Sequence, residues 1–74
     1  NIVLEGHADE RGTRAYNIAL GQNRAEVVKR TMLLYGVRPS QIRLISYGEE
    51  KPAVLGHSAD AWAKNRRVEI RYKR

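Results

Sequence analysis

The sequence predicts an α/β fold in which one long helix connects two parallel strands and a third strand completes a mixed sheet. A short apolar run at residues 2–4 and an apolar-rich segment at 42–47 read as buried strands, and residues 14–35 between them show a helical apolar pattern. A strand, a long helix and a second strand form a βαβ unit, whose two strands run parallel. Residues 67–72 alternate polar and apolar, which is typical of a strand with one wet face.

The ends of the long helix are also predicted. The first strand is expected to end near Gly6, and a polar, turn-like segment follows up to Thr13, whose hydroxyl can cap a helix. The helix is then expected from Arg14 to Tyr35, and Gly36 stops it. The connection after the second strand is predicted to contain a helical turn at 59–64.

Two apolar stripes run along this helix. The first consists of residues at alternating spacings of three and four, namely Ile18, Gly21, Ala25, Val28, Met32 and Tyr35. The second consists of Leu20, Val27 and Leu34. One sheet face covers only part of such an arc, so the second stripe predicts a further packing partner, a helix outside this sequence.

Composition excludes several classes of protein. The chain has 74 residues, a net charge of +6, 42% hydrophobic residues and 30% charged residues. It is too apolar for a disordered tail and too charged for a membrane segment, so we expect one small domain or a piece of one. The absence of cysteine excludes disulfides and thiolate metal sites.

Arg24 and Asp9 are the candidate binding residues. Arg24 lies inside the apolar arc of the helix, where an arginine must be paired or must reach out to solvent. Asp9 lies in the loop that leads into the same helix. Together they could hold both ends of an amino-acid zwitterion, the carboxylate taking an ammonium and the guanidinium taking a carboxylate. The same two residues could equally bridge to each other, and the residues alone leave both interpretations open.

Several motifs resemble the OmpA-like C-terminal domain family, and within it the peptidoglycan-associated lipoproteins. They are the segments at 6–13, 16–21, 24–25, 46–52 and 65–69, beginning Gly-His-Ala-Asp-Glu-Arg-Gly-Thr and ending Asn-Arg-Arg-Val-Glu. The resemblance extends over residues 1–74 as one domain. It implies a two-layer α/β sandwich with the order β-α-β-α-β-β, of which this chain would lack the first strand and helix.

The resemblance also implies a function and a site. The family binds peptidoglycan non-covalently, catalyses no reaction and uses no cofactor. Its ligand is the diaminopimelate of the stem peptide, and its aspartate and arginine match Asp9 and Arg24. Asn17 and Leu20 match positions that line the same cleft, and Arg67 is a further candidate. The implied location is the periplasmic face of the Gram-negative outer membrane, reached through an anchor outside this chain.

Other functions are less well supported by the residues. The resemblance implies protein partners as an alternative function, namely TolB and other Tol or outer-membrane proteins. No metal site is expected, because His7 and His57 lie far apart in the sequence and form no helical ligand pair. The basic residues are scattered and there is no phenylalanine, which argues against nucleic-acid binding. Trp62, the single tryptophan, is expected to anchor the core.

Overall fold

The computed structural model describes residues 1–72 and contains three strands and two helices in the predicted order. The elements are β1 (Ile2–His7), α1 (Arg14–Leu34), β2 (Ile42–Gly48), α2 (Ala59–Asn65) and β3 (Val68–Tyr72), with a short 3-10 helix at Pro39–Gln41. Thr13 caps α1 as predicted, because its Oγ1 accepts the backbone N–H of Tyr16 at 3.1 Å. Residues 73 and 74 of the predicted domain lie outside the described residues.

The sheet has the order β2-β1-β3, with β1 in the centre. β1 runs parallel to β2 and antiparallel to β3, which confirms the predicted mixed sheet. Leu4 of β1 pairs with Leu44 of β2 and with Ile70 of β3, so these three side chains share one sheet face. α1 packs on that face, and the α+β class is confirmed.

The core lies between α1 and the sheet. Leu4, Ala25 and Ile42 are its buried members. Partly buried side chains surround them, namely Ile2, Val28, Met32, Leu33, Val37, Leu44 and Val68. Helix and sheet approach most closely at two glycines, since a Cβ on Gly6 would lie 1.8 Å from the carbonyl oxygen of Gly21. This contact fixes the helix directly above the end of β1 from which the loop with Asp9 emerges.

The two predicted stripes of α1 have different surroundings. Gly21 and Ala25 of the first stripe are buried, but Tyr35 follows the last helical residue as the C-cap and is 86% exposed. The prediction that the helix and its first apolar stripe include Tyr35 was therefore wrong by one residue, because α1 ends at Leu34. Val27 and Leu34 of the second stripe are exposed. No helix within residues 1–72 is both long enough and apolar enough to cross a bilayer.

His7, at the end of β1, is a buried histidine on the sheet face opposite α1. It is 1% exposed, its ring stacks on Tyr47 at a centroid distance of 5.6 Å, and neither ring nitrogen has a hydrogen-bond partner within the described residues. Burial is the main cause that lowers the pKa of His7 below 6.5, and the Arg67 charge adds to it. Other charged groups also act on the ring, namely Glu69, Glu5 and Lys51.

This burial predicts a pH dependence of stability between pH 7.5 and 5. Because the pKa of His7 is lower in the folded state, the unfolded chain binds the proton more readily below about pH 6.5. The free energy of unfolding is therefore expected to fall as the pH decreases through this range. Carboxylates contribute little there, since they titrate near pH 4 when unfolded. Urea unfolding followed by circular dichroism at several pH values measures the effect.

Two histidine variants make this test specific. His7→Phe keeps a ring against Tyr47 and is expected to remove the pH dependence between pH 7.5 and 5. His57→Gln is the matched control, because the His57 side chain is 86% exposed. An unchanged pH dependence in His7→Phe would assign the effect to another group.

Candidate functional site

A pocket lies between the loop that follows β1, the first half of α1 and the segment that leads into β3. Its volume is about 270 Å³. The residues that line it are Asp9, Arg11, Gly12, Tyr16, Leu20, Arg24 and Arg66. We call it the Asp9 pocket. It combines one carboxylate, three guanidinium groups, the ring of Tyr16 and the apolar side chain of Leu20, so it carries a net positive charge and an apolar wall.

The carboxylate of Asp9 is held by two arginines, Arg11 and Arg66. The residue is only 6% exposed. Its Oδ1 accepts the backbone N–H of Arg11 at 3.0 Å and Arg11 Nε at 3.1 Å. Its Oδ2 accepts Arg11 NH2 at 2.8 Å and Arg66 NH1 at 3.0 Å. The side-chain hydrogen bonds from Arg11 are the main cause that holds the pKa of Asp9 well below its usual range, so the group is charged at neutral pH.

Arg24 lies on α1 and faces the same pocket. Its NH1 donates to the backbone carbonyl of His7 at 2.8 Å, which fixes the guanidinium against the end of β1. Within the described residues the Arg24 guanidinium has no carboxylate partner and makes no other hydrogen bond. The possibility that Asp9 and Arg24 merely bridge to each other is therefore not realised. The remaining N–H donors of Arg24 are available to an anion.

Leu20 and Asn17 occupy different depths. Leu20 lines the pocket beside Arg24, one helical turn away. Asn17 is not among the lining residues and is only 1% exposed. Its Nδ2 donates to Glu49 Oε1 at 2.9 Å, whereas its Oδ1 has no hydrogen-bond partner within residues 1–72. A Cβ added to Gly12 of the pocket loop would lie 3.6 Å from this oxygen.

Arg67 does not lie in the pocket, whereas its neighbour Arg66 does. Arg67 donates from Nε to Glu69 Oε2 at 2.8 Å and from NH2 to the carbonyl of Lys51 at 3.1 Å. Adjacent residues of an extended chain point to opposite sides, so the Asn-Arg-Arg motif alone could not tell which arginine faces Asp9. The β1–β3 pairing decides it, because the carbonyl of Arg67 accepts the backbone N–H of His7 at 2.8 Å.

Arg11 and Tyr16 also line the pocket, although neither was predicted as a site residue. Arg11 stands two positions after Asp9, a spacing at which an extended loop can fold a side chain back onto a carboxylate. Tyr16 is 59% exposed and lies against Gly12, since a Cβ at Gly12 would approach its ring to 3.0 Å. Gly12 has a φ of 93°, a conformation that glycine adopts most easily.

Trp62 supports the Asp9 pocket and does not belong to the core. The guanidinium carbon of Arg11 lies 4.3 Å from the centroid of the indole ring. The indole Nε1 donates to Glu10 Oε2 at 2.8 Å, and Glu10 also contacts His57 Nδ1 at 2.6 Å. The expectation that Trp62 anchors the core was wrong, because its N–H needs a polar partner and its ring face binds a cation.

The pocket has the chemistry of a binding site. Within residues 1–72, no group of three or more histidine and acidic side chains is arranged to hold a metal ion. The lining residues provide charge-assisted hydrogen-bond donors, one carboxylate and an apolar wall. This combination suits a small ligand that has an aliphatic body and charged ends.

Comparisons with known proteins agree on one family. The model of the OmpA family matches residues 1–66. Over 70 residues the chain is 57% identical to the peptidoglycan-associated lipoprotein of Pseudomonas aeruginosa, covering 95% of this chain and 42% of that protein. Over 71 residues it is 56% identical to the corresponding lipoprotein of Pasteurella multocida, covering 96% of this chain and 47% of that protein. The chain thus spans less than half the length of these relatives.

Solved structures show the same similarity. The crystal structure of the peptidoglycan-associated lipoprotein from Burkholderia pseudomallei matches with a TM-score of 0.96 and 49% identity, covering 99% of this chain and 62% of that chain. The C-terminal domain of Helicobacter pylori MotB matches with a TM-score of 0.86 and 34% identity, covering 95% of this chain and 54% of that one. The lipoproteins are named for their association with peptidoglycan and not for a reaction, which agrees with the prediction that the chain is not an enzyme.

Proposed function

Because the chain belongs to the OmpA family, we propose that it binds peptidoglycan non-covalently through the diaminopimelate of the stem peptide. In this role it tethers the outer membrane of a Gram-negative bacterium to the cell wall from the periplasmic face. The observation that carries the proposal is that Asp9 and Arg24, fifteen positions apart in the sequence, line the same pocket. The names of the relatives support peptidoglycan as the polymer.

The chemistry of the ligand matches that of the pocket. The side chain of diaminopimelate ends in one ammonium and one carboxylate on an aliphatic stem. Arg24 has free N–H donors for the carboxylate, and Asp9 is the only carboxylate among the described residues that line the pocket. Leu20 provides the apolar wall for the stem. The unpartnered Oδ1 of Asn17 can accept one further N–H of the ligand if the loop that carries Gly12 moves enough for the ligand to reach it.

The role of Arg67 has no support from its position, because it is paired with Glu69 away from the pocket. Arg66 takes its place in the proposal. It lines the pocket and donates to Asp9 Oδ2, so it orients the carboxylate and adds positive charge for the ligand.

A titration with soluble muropeptides tests the proposed ligand. Two muropeptides are compared, one with diaminopimelate and one with lysine at the third stem position. Lysine lacks the terminal carboxylate, so Arg24 loses its charge-assisted partner. We expect the lysine form to bind at least about tenfold more weakly, since such a hydrogen bond contributes roughly 1.5–3 kcal/mol. Isothermal titration calorimetry measures both affinities, and equal values would contradict the zwitterion site.

A second candidate function is binding to a protein partner such as TolB or another Tol or outer-membrane protein. A separate pocket of about 300 Å³, which shares no lining residue with the Asp9 pocket, offers a second surface for such a partner. Its lining includes the exposed Leu55 together with Glu10 and Glu49. Competition between a purified TolB-type protein and a muropeptide discriminates the two sites, because independent binding places the partner outside the Asp9 pocket.

A further inference from the structure

The carboxylate of Asp9 has no free acceptor position in the structure. A carboxylate offers about four lone-pair sites, and Asp9 accepts four hydrogen bonds, three from Arg11 and one from Arg66. Its side chain is only 7% exposed. A ligand ammonium therefore cannot bind to Asp9 by simple addition. At least one of the two guanidinium groups must leave first.

Arg11 is better placed to leave than Arg66. Its side chain is 55% exposed, against 37% for Arg66. It stands in a loop next to Gly12, whereas Arg66 stands between α2 and β3 and its backbone N–H is bonded to the carbonyl of Trp62 at 3.1 Å. The backbone N–H of Arg11 can keep its bond to Asp9 Oδ1 while the side chain moves.

Arg11 also has a second place for its charge. Its guanidinium already lies over the ring of Trp62 at 4.3 Å, and that ring is fixed by the hydrogen bond from its Nε1 to Glu10. When Arg11 leaves Asp9, the indole continues to hold the cation close to the pocket. The contact with Trp62 is therefore kept when Arg11 moves, and only the side-chain bonds to Asp9 are lost.

We infer that Arg11 is a displaceable internal cation that occupies the ammonium position at Asp9 until a zwitterionic ligand replaces it. This inference rests on the proposed function and adds a basis for its specificity. When a simple amine binds, its ammonium replaces the Arg11 guanidinium at Asp9. The amine has no anionic group that the displaced guanidinium could bind. A zwitterion brings a carboxylate that Arg24 and the released Arg11 can both bind. Arg11 therefore makes the pocket select zwitterions over amines.

The test compares a diaminopimelate muropeptide with cadaverine, a diamine without a carboxylate, by calorimetry. We expect the native protein to bind cadaverine about a hundredfold more weakly than the muropeptide, and Arg11→Gln to reduce that gap to about tenfold or less by gaining affinity for cadaverine. Arg11→Lys keeps the positive charge but not the two parallel hydrogen bonds to Asp9. Its affinity gap between muropeptide and cadaverine is expected to lie between those of the native protein and Arg11→Gln. Arg14→Gln is the matched control, since Arg14 pairs with Glu50 outside the pocket and its loss leaves the gap unchanged.

A spectroscopic readout follows the displacement directly. The NMR signal of the Arg11 Nε–H reports its bond to Asp9 Oδ1 and is expected to shift when the muropeptide is added. Circular dichroism establishes that each variant is folded before its affinity is compared.

Three results would overturn the inference, and they differ in what else they reject. If Arg11→Gln loses the muropeptide as strongly as Asp9→Ala, Arg11 is a fixed part of the binding surface. If Arg66→Gln and not Arg11→Gln gains affinity for cadaverine, Arg66 is the group that leaves. In both cases the native protein still binds the muropeptide, and the proposed function stands. If the native protein does not bind the muropeptide, the proposed function and the inference fail together.

Discussion

Loss of the Asp9 carboxylate is expected to release the protein from purified sacculi. In Asp9→Ala, the guanidinium groups of Arg11 and Arg66 lose their partner beside the third cation, Arg24. The ammonium of the ligand then meets a purely positive pocket. Truncating one member of a buried, hydrogen-bonded charge pair costs about 2–5 kcal/mol, so binding should weaken by roughly thirtyfold or more. Pull-down with sacculi measures this loss.

A second site variant, Arg24→Ala, and a surface control, Arg30→Ala, distinguish the loss of a specific binding group from a general loss of positive charge. Arg24→Ala is expected to cause a similar loss by removing the group that holds the ligand carboxylate. Arg30→Ala removes the same charge from the exposed side of α1, and its pull-down should equal that of the native protein. Circular dichroism should show a folded protein in all three variants. Retained pull-down in both Asp9→Ala and Arg24→Ala would reject the assignment of the site.

Gly6→Ala is expected to destabilise the fold strongly. The added Cβ would lie 1.8 Å from the carbonyl oxygen of Gly21 and 2.5 Å from its carbonyl carbon, both backbone atoms that no side-chain rotation can move. Relief requires the long helix to move away from the sheet along the whole core. We expect a loss of about 4 kcal/mol or more, a large part of the 5–15 kcal/mol that stabilises a typical domain. Urea unfolding measures it.

Gly36→Ala provides the matched control for this substitution. Gly36 has a φ of 92°, but a Cβ there would meet no atom within 4 Å. Its replacement therefore measures backbone strain alone, which is about 1–2 kcal/mol. The difference between the two variants isolates the crowding between Gly6 and Gly21. A midpoint for Gly6→Ala close to that of Gly36→Ala would show that the helix and sheet can separate at little cost.

The secondary structure could be predicted because its signals are local. The apolar spacing of α1, the hydroxyl of Thr13 and the polar–apolar alternation before Tyr72 are properties of neighbouring residues. The approach of Gly6 to Gly21 could not be predicted in this way, because two glycines fifteen positions apart give no sign that their backbones touch.

Patterns along the chain were enough to predict the elements of the fold, and the motifs shared with a known family pointed to Asp9 and Arg24. The folded chain was needed to show that Arg66, and not Arg67, faces the carboxylate, and that Arg11 and Arg66 together saturate it. Trp62, expected in the core, instead lies against the guanidinium of Arg11. The reason is that these contacts join residues up to 57 positions apart, and which side chains meet depends on strand pairing and helix packing. A pattern along the chain specifies neither.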